Sequence, residues 1–137
     1  MNTTLLKVLI SVFVIAHLVG NMWHGAAHET LEIDLPDLKN GFVYVVVLAT
    51  PLIGLGLLWF NREVIACWLV GLSMLGSVLF SVYHHYVWVS EDNVDYLPEG
   101  TPEAHAHFAN SAELIALLAL AAALLGFYAA GRLAKQH

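Results

Sequence analysis

Four stretches of this chain are apolar and uncharged over lengths that only a membrane demands, and that fixes the solvent in which it folds. Crossing a hydrocarbon core takes about 20 helical residues at 1.5 Å each. Residues 8–28, 41–60 and 64–89 contain no Asp, Glu, Lys or Arg, and 114–131 follow a single acid, Glu113. In lipid the backbone must satisfy its own N–H and C=O groups. These stretches are therefore expected to be helices, including Val45-Val46-Val47, which in water would favour a strand. Only 12% of the chain is charged against 59% hydrophobic, which argues against a soluble cytosolic enzyme from the outset.

The expected fold is an all-α integral membrane protein, a four-transmembrane-helix antiparallel bundle. Its spans fall near 5–28, 41–60, 64–89 and 102–133, within one domain over 1–137. Lys7 before the apolar run 8–16, with Gly25-Ala26-Ala27 behind it, has the outline of a secretory signal; we expect a retained span. Asn61-Arg62-Glu63 leaves room only for a tight connection. The other two connections, 29–40 with Pro36 and 90–101 with Pro98 and Gly100, are acidic and expected to be solvated, although an acidic rim also concentrates cations. Thr101-Pro102-Glu103 reads as a helix start, with a capping hydroxyl, a proline in first position and an acid in the first turn. Pro51 should kink the second span. Gly54, Gly56, Gly71 and Gly76 and the Ala-rich run 119–125 are expected to mark close helix contact.

Four crossings place Lys7, Arg62, Arg132 and Lys135 on one side and the acidic connections on the other. Both termini are then expected in the cytoplasm. Trp23, Tyr83, Tyr86 and Trp88 supply an aromatic belt outside; Trp59, Trp68 and Tyr128 supply one inside. A net charge of −6 with five scattered cations leaves no footprint for nucleic acid. The expected partners are membrane lipids, with other membrane subunits or further copies of the chain beside them.

The chemical signal is eight histidines in a chain with few other polar groups. On this topology all but His137 fall in the outer half or an outer loop. His17, Asn21, His24 and His28 stay within about 60° of one another at 100° per residue, a single polar stripe ending in H-x-x-x-H. Ser73, Ser77 and Ser81 form a second stripe on the third span. His84 continues it, while His85 points about 100° away and is expected to pack or anchor at the interface. Asn110 and Glu113 share a face of the fourth span. Polar groups in hydrocarbon turn to the bundle interior and pair there, so the stripes are expected to converge.

Neutral imidazole is the commonest metal ligand, and two at i and i+4 can hold one ion. His24 and His28 with His84 and Glu113 make a His₃/carboxylate set that suits Zn²⁺, Cu²⁺ or Fe²⁺. His17, His105 and His107 are the next candidates. Cys67, the lone cysteine, excludes an internal disulfide or a thiolate metal cluster and belongs at the far end of the third span. There is no nucleophile elbow, phosphate loop or dinucleotide fingerprint. The expected role is metal-dependent redox chemistry or metal handling; as an enzyme the chain would be a copper- or iron-dependent membrane oxidoreductase. The alternatives are a b-type haem held by His17 or His24 with His84, an accessory subunit of a larger complex, or a proton relay.

Overall fold

Local signals set the helix ends in the computed structural model, which describes residues 2–135. Four helices among these residues are long and apolar enough to cross a membrane: α1 (Thr3–Thr30), α2 (Asp37–Trp59), α3 (Glu63–Val87) and α4 (Pro102–Leu133). His137 lies outside the described residues. The first acidic connection is shorter than the charge pattern suggested, because α1 runs on to Thr30 and α2 already begins at Asp37, and the second is longer, because α3 ends at Val87. At the end of α1, Ile33 N–H bonds His28 O at 3.0 Å and Glu32 N–H bonds Glu29 O at 3.3 Å around a left-handed Glu32, φ 54°. This closure usually takes glycine in the left-handed position, and here it turns the chain sharply back over His28. Asn61, φ 60°, does the same between α2 and α3, with Arg62 N–H on Leu57 O at 3.0 Å. Thr101 caps α4 as its sequence implies, accepting from Ala104 N–H at 3.2 Å.

Two helices widen locally. In α2, Val43–Ala49 is π-helical between α-helical Asp37–Phe42 and Thr50–Trp59. The wide stretch lies just ahead of Pro51, whose ring would clash with the carbonyl four residues back in an unbroken α-helix. Thr50 Oγ1 and its N–H both turn to the freed Val45 carbonyl, the hydroxyl at 2.6 Å. The second π-helical turn is Tyr83–Val87, closing α3 through Trp88 N–H to Tyr83 O at 2.7 Å.

Around the bundle α1 packs on α4, α4 on α3, and α3 on α2; α1 and α2 meet through the inner stretch Thr50–Trp59. That inner end is fastened by Lys7 Nζ to Glu63 Oε1 at 2.8 Å and Trp59 Nε1–H to Ser11 Oγ at 3.1 Å. Its core is apolar, with Leu6, Ile10 and Val14 set against Val70, Met74, Ala119 and Ala122. A smaller cluster of Ala27, Leu31, Ile33 and Phe108 seals the opposite end. Polar side chains occupy the layer between.

The α3–α4 seam is a backbone contact. A methyl on Gly126 would lie 2.8 Å from Gly71 N and 3.0 Å from Cys67 O, atoms that cannot step aside, and one on Gly71 would enter the Phe127 ring. Gly54 likewise has no room beside Val70. Gly56 faces open space, so the expectation of close contact there is corrected. Gly126→Val should cost about 1–3 kcal/mol by prising the seam apart, read as a lower melting temperature in detergent. Gly56→Ala should leave that temperature unchanged or raise it.

Candidate metal centre

The imidazoles of α1 set the geometry. His24 and His28 lie one turn apart, their rings edge to face at 4.7 Å and their Nε2 atoms 3.1 Å from each other. His24 Nδ1 lies 2.9 Å from Ser111 Oγ on α4, whose hydroxyl donates to Phe108 O at 3.0 Å. Ser111 therefore accepts, and His24 carries its proton on Nδ1. His28 Nδ1 faces Ile33 O at 3.4 Å, a carbonyl that only accepts and that the left-handed Glu32 has folded back over the ring.

His85 comes from α3 because of the wide turn. In a uniform α-helix, residues four apart drift by about 40°, so a stripe through Ser73, Ser77 and Ser81 should leave position 85 behind. The π-helical turn advances fewer degrees per residue and undoes the drift. Ser73, Ser77, Ser81 and His85 are all buried in consequence. The His85 ring meets His24 at 4.7 Å, and its Nδ1 donates to the backbone carbonyl of Asp92 at 2.8 Å.

Asp92 arrives from the connection 88–101, which curls back over the helix ends. Val94 N–H returns to His85 O at 3.0 Å and Asn93 Nδ2–H to Trp88 O at 3.0 Å, and Asp92 and Asn93 are buried although Glu91 beside them is exposed. His28 Nε2 and His85 Nδ1 each lie 3.3 Å from Asp92 Oδ1, and Lys39 Nζ lies 3.6 Å from Oδ2. None of these approaches has hydrogen-bond geometry, so neither carboxylate oxygen has a hydrogen-bond partner among the described residues. Burial pushes the Asp92 carboxyl up. The proximity of His85, then of His28 and Lys39, outweighs burial and holds it below the usual carboxylate range. It is an anion at neutral pH.

His24, His28 and His85 each turn Nδ1 to an oxygen, and His24 and His28 turn their Nε2 atoms to each other at 3.1 Å, a spacing that takes a proton or a cation between them. That is how metal-binding histidines are oriented, the second nitrogen fixing the tautomer of the first. His24, His85 and Asp92 each offer a ligand atom within 4.8 Å of the others, close enough to hold one ion, and His28 stands against two of the three. Together they wall a cavity of about 390 Å³ between α1, α2 and α3.

The other expected ligands go elsewhere. His84, expected to face inward, lies on the far side of α3 against Phe80 and Tyr83, beside Lys39 and Trp88. Glu113 is exposed on the outside of α4 near Tyr86, because the inward face of that helix is Phe108, Ser111, Ala112 and Ile115. His17 is buried deeper, its Nε2 at 3.1 Å from both Asn21 Nδ2 and Ser77 Oγ. His105 holds Pro98 O at 2.9 Å, and His107 stacks on Trp23. Sequence reasoning missed His85, for want of the wide turn, and Asp92, one acid among several in a connection expected to be solvated. The residue that hinted at its burial is Val94, an apolar neighbour that packs with Leu97 on the outer cluster.

Comparison with known protein families, curated proteins and solved structures gives no match, so the chemistry rests on these residues alone.

Placement of the two neighbouring histidines is directly testable. His85→Ala removes the donor that holds the connection 88–101 down, worth about 1 kcal/mol or more when buried. Hydrogen exchange at Asn93 and Val94 should then quicken roughly tenfold. His84→Ala should leave it unchanged.

Proposed function

We propose that this integral membrane protein binds a transition-metal ion through His24, His28, His85 and Asp92 at the extracytoplasmic end of its bundle, for metal-dependent redox chemistry or metal handling. One observation carries this reading: ring nitrogens of His24 and His85 and the buried Asp92 carboxylate, which has no hydrogen bond among the described residues, lie within 4.8 Å of one another, with His28 Nε2 against two of them. In metal-free form such an arrangement is unfavourable, since an unpaired buried acceptor costs about 1–3 kcal/mol and a charge costs more. A cation relieves all of it at once.

The donor set is nitrogen and oxygen without thiolate, which suits Fe²⁺, Cu²⁺ or Zn²⁺. Two imidazoles and a carboxylate, as in His24, His85 and Asp92, are the composition of non-haem iron sites with open positions. The cavity beside the cluster supports an open coordination face, the mark of a reactive rather than a structural ion. Imidazole rings in edge contact at 4.7 Å leave no slot for a porphyrin between them, which favours an ion over a b-type haem. The extracytoplasmic placement is supported by Lys7, Arg62, Arg132 and Lys135, which gather at the opposite end. Lys39, the exception, stands against the site carboxylate.

Elemental analysis of protein purified in detergent without added metal should find iron, copper or zinc near one equivalent, with no Soret band. His24→Ala and Asp92→Asn should bring the metal to background, while Glu113→Gln and His105→Ala retain it. Ser111→Ala, which frees the His24 ring, should weaken affinity about 10–100-fold. Undiminished metal in His24→Ala, or a stoichiometric Soret band, would contradict the reading.

A further inference from the structure

The cavity beside the cluster reaches from the outer loops to the middle of the spans. Its deep end is formed by Leu18, Val47 and Ser77, its outer rim by the acids Glu29 and Asp34. Met22 on α1 and Tyr44 on α2 line it and are themselves 71% and 65% exposed, so its mouth opens sideways on the lipid-facing surface, between helices whose firm contact lies nearer the other end. At about 390 Å³ it lies in the range of small-molecule sites, roughly 300–1,000 Å³. Neither Lys nor Arg is among its lining residues. The walls are largely apolar, but Ser81, 3% exposed and one turn below His85, has a buried hydroxyl without a hydrogen-bond partner among the described residues. Gly25 completes the wall with open space before it, since a methyl there would meet no atom within 4 Å.

We infer that this cavity is a lateral binding site for an uncharged, membrane-dissolved molecule with a slim apolar body and one hydroxyl or carbonyl, which pairs with Ser81 and lies against the His24–His85–Asp92 cluster. The acidic rim, with neither Lys nor Arg in the lining to offset it, disfavours entry of anions such as fatty carboxylates and phospholipid phosphates. The apolar walls accept a chain from the bilayer without a desolvation cost. A hydroxyl or carbonyl satisfies Ser81, which an alkane leaves unpaired. As the substrate class of the metal centre this assignment rests on the proposed function; as a binding site it stands on the cavity alone.

The probe is an octanol bearing a diazirine, photolysed with the protein in nanodiscs, and the metal content of the same sample is measured. Adducts should concentrate on Met22, Tyr44 and Ser81. Excess octanol should suppress them, and the matching diazirine-bearing octane should label about fivefold less, the worth of one hydrogen bond. Ser81→Val should remove the preference for the alcohol, and Gly25→Phe, which fills the open space, should abolish cavity labelling. Labelling spread evenly over lipid-facing side chains, or equal labelling by octane and octanol, would overturn the site. Cavity labelling in a sample without metal would refute the metal centre and leave the binding site standing. A metal-loaded protein without cavity labelling would do the reverse.

Discussion

An imidazole in hydrocarbon has one N–H that must find an acceptor and one lone pair that must face something other than carbon, and the histidine-bearing half of this bundle is arranged around those two needs. Leaving either unmet costs several kcal/mol in the absence of water. The acceptors for His24, His28 and His85 come from three different places: a serine on the opposite helix, a carbonyl exposed by a left-handed turn, and the backbone of a returning loop. Each acceptor is a tertiary contact. The helix packing, the Glu32 turn and the fold of the connection 88–101 are thus fixed together with the orientation of the rings.

The same logic explains why the loop is buried. His85 offers the loop two handles, its Nδ1–H to Asp92 O and its backbone carbonyl to Val94 N–H, the latter available because the helix ends in a wide turn. Holding Asp92 by its backbone leaves its carboxylate without a hydrogen bond and beside His28 and His85. The negative charge is neutralised in part by Lys39, the one base on the acidic side of the molecule. A buried anion tied down by its own main chain, with ring nitrogens of two histidines beside it and no hydrogen bond to its carboxylate, is a poor way to stabilise a fold and a good way to hold a cation.

Much of this was legible in the sequence because it follows from the solvent. The absence of charge over four stretches dictates the helices, and the 4-3-4 spacing of His17, Asn21, His24 and His28 places them on one face whatever the neighbours do. The Thr101 cap and the Asn61 turn are local and needed nothing from the rest of the chain. The inward face of α4 was read from its acid, Glu113; it is set by its small residues, among which Ser111 and Ala112 allow the close approach that brings His24 within reach. The choice between His84 and His85 rested on 100° per residue, a rule that fails at a π-helical turn. Asp92 could not be told from Glu91 or Asp95 without knowing that the loop folds back on His85, which is a long-range consequence of that same turn.

X-ray absorption at the metal edge of the purified protein tests the central claim most directly, because it reads the donor atoms themselves. The account predicts a first shell of nitrogen and oxygen only, with the outer-shell scattering of His24, His28 and His85 imidazoles, and loss of one imidazole contribution in His85→Ala but not in His84→Ala. A sulfur scatterer, a porphyrin signature or a shell unchanged by His85→Ala would contradict it.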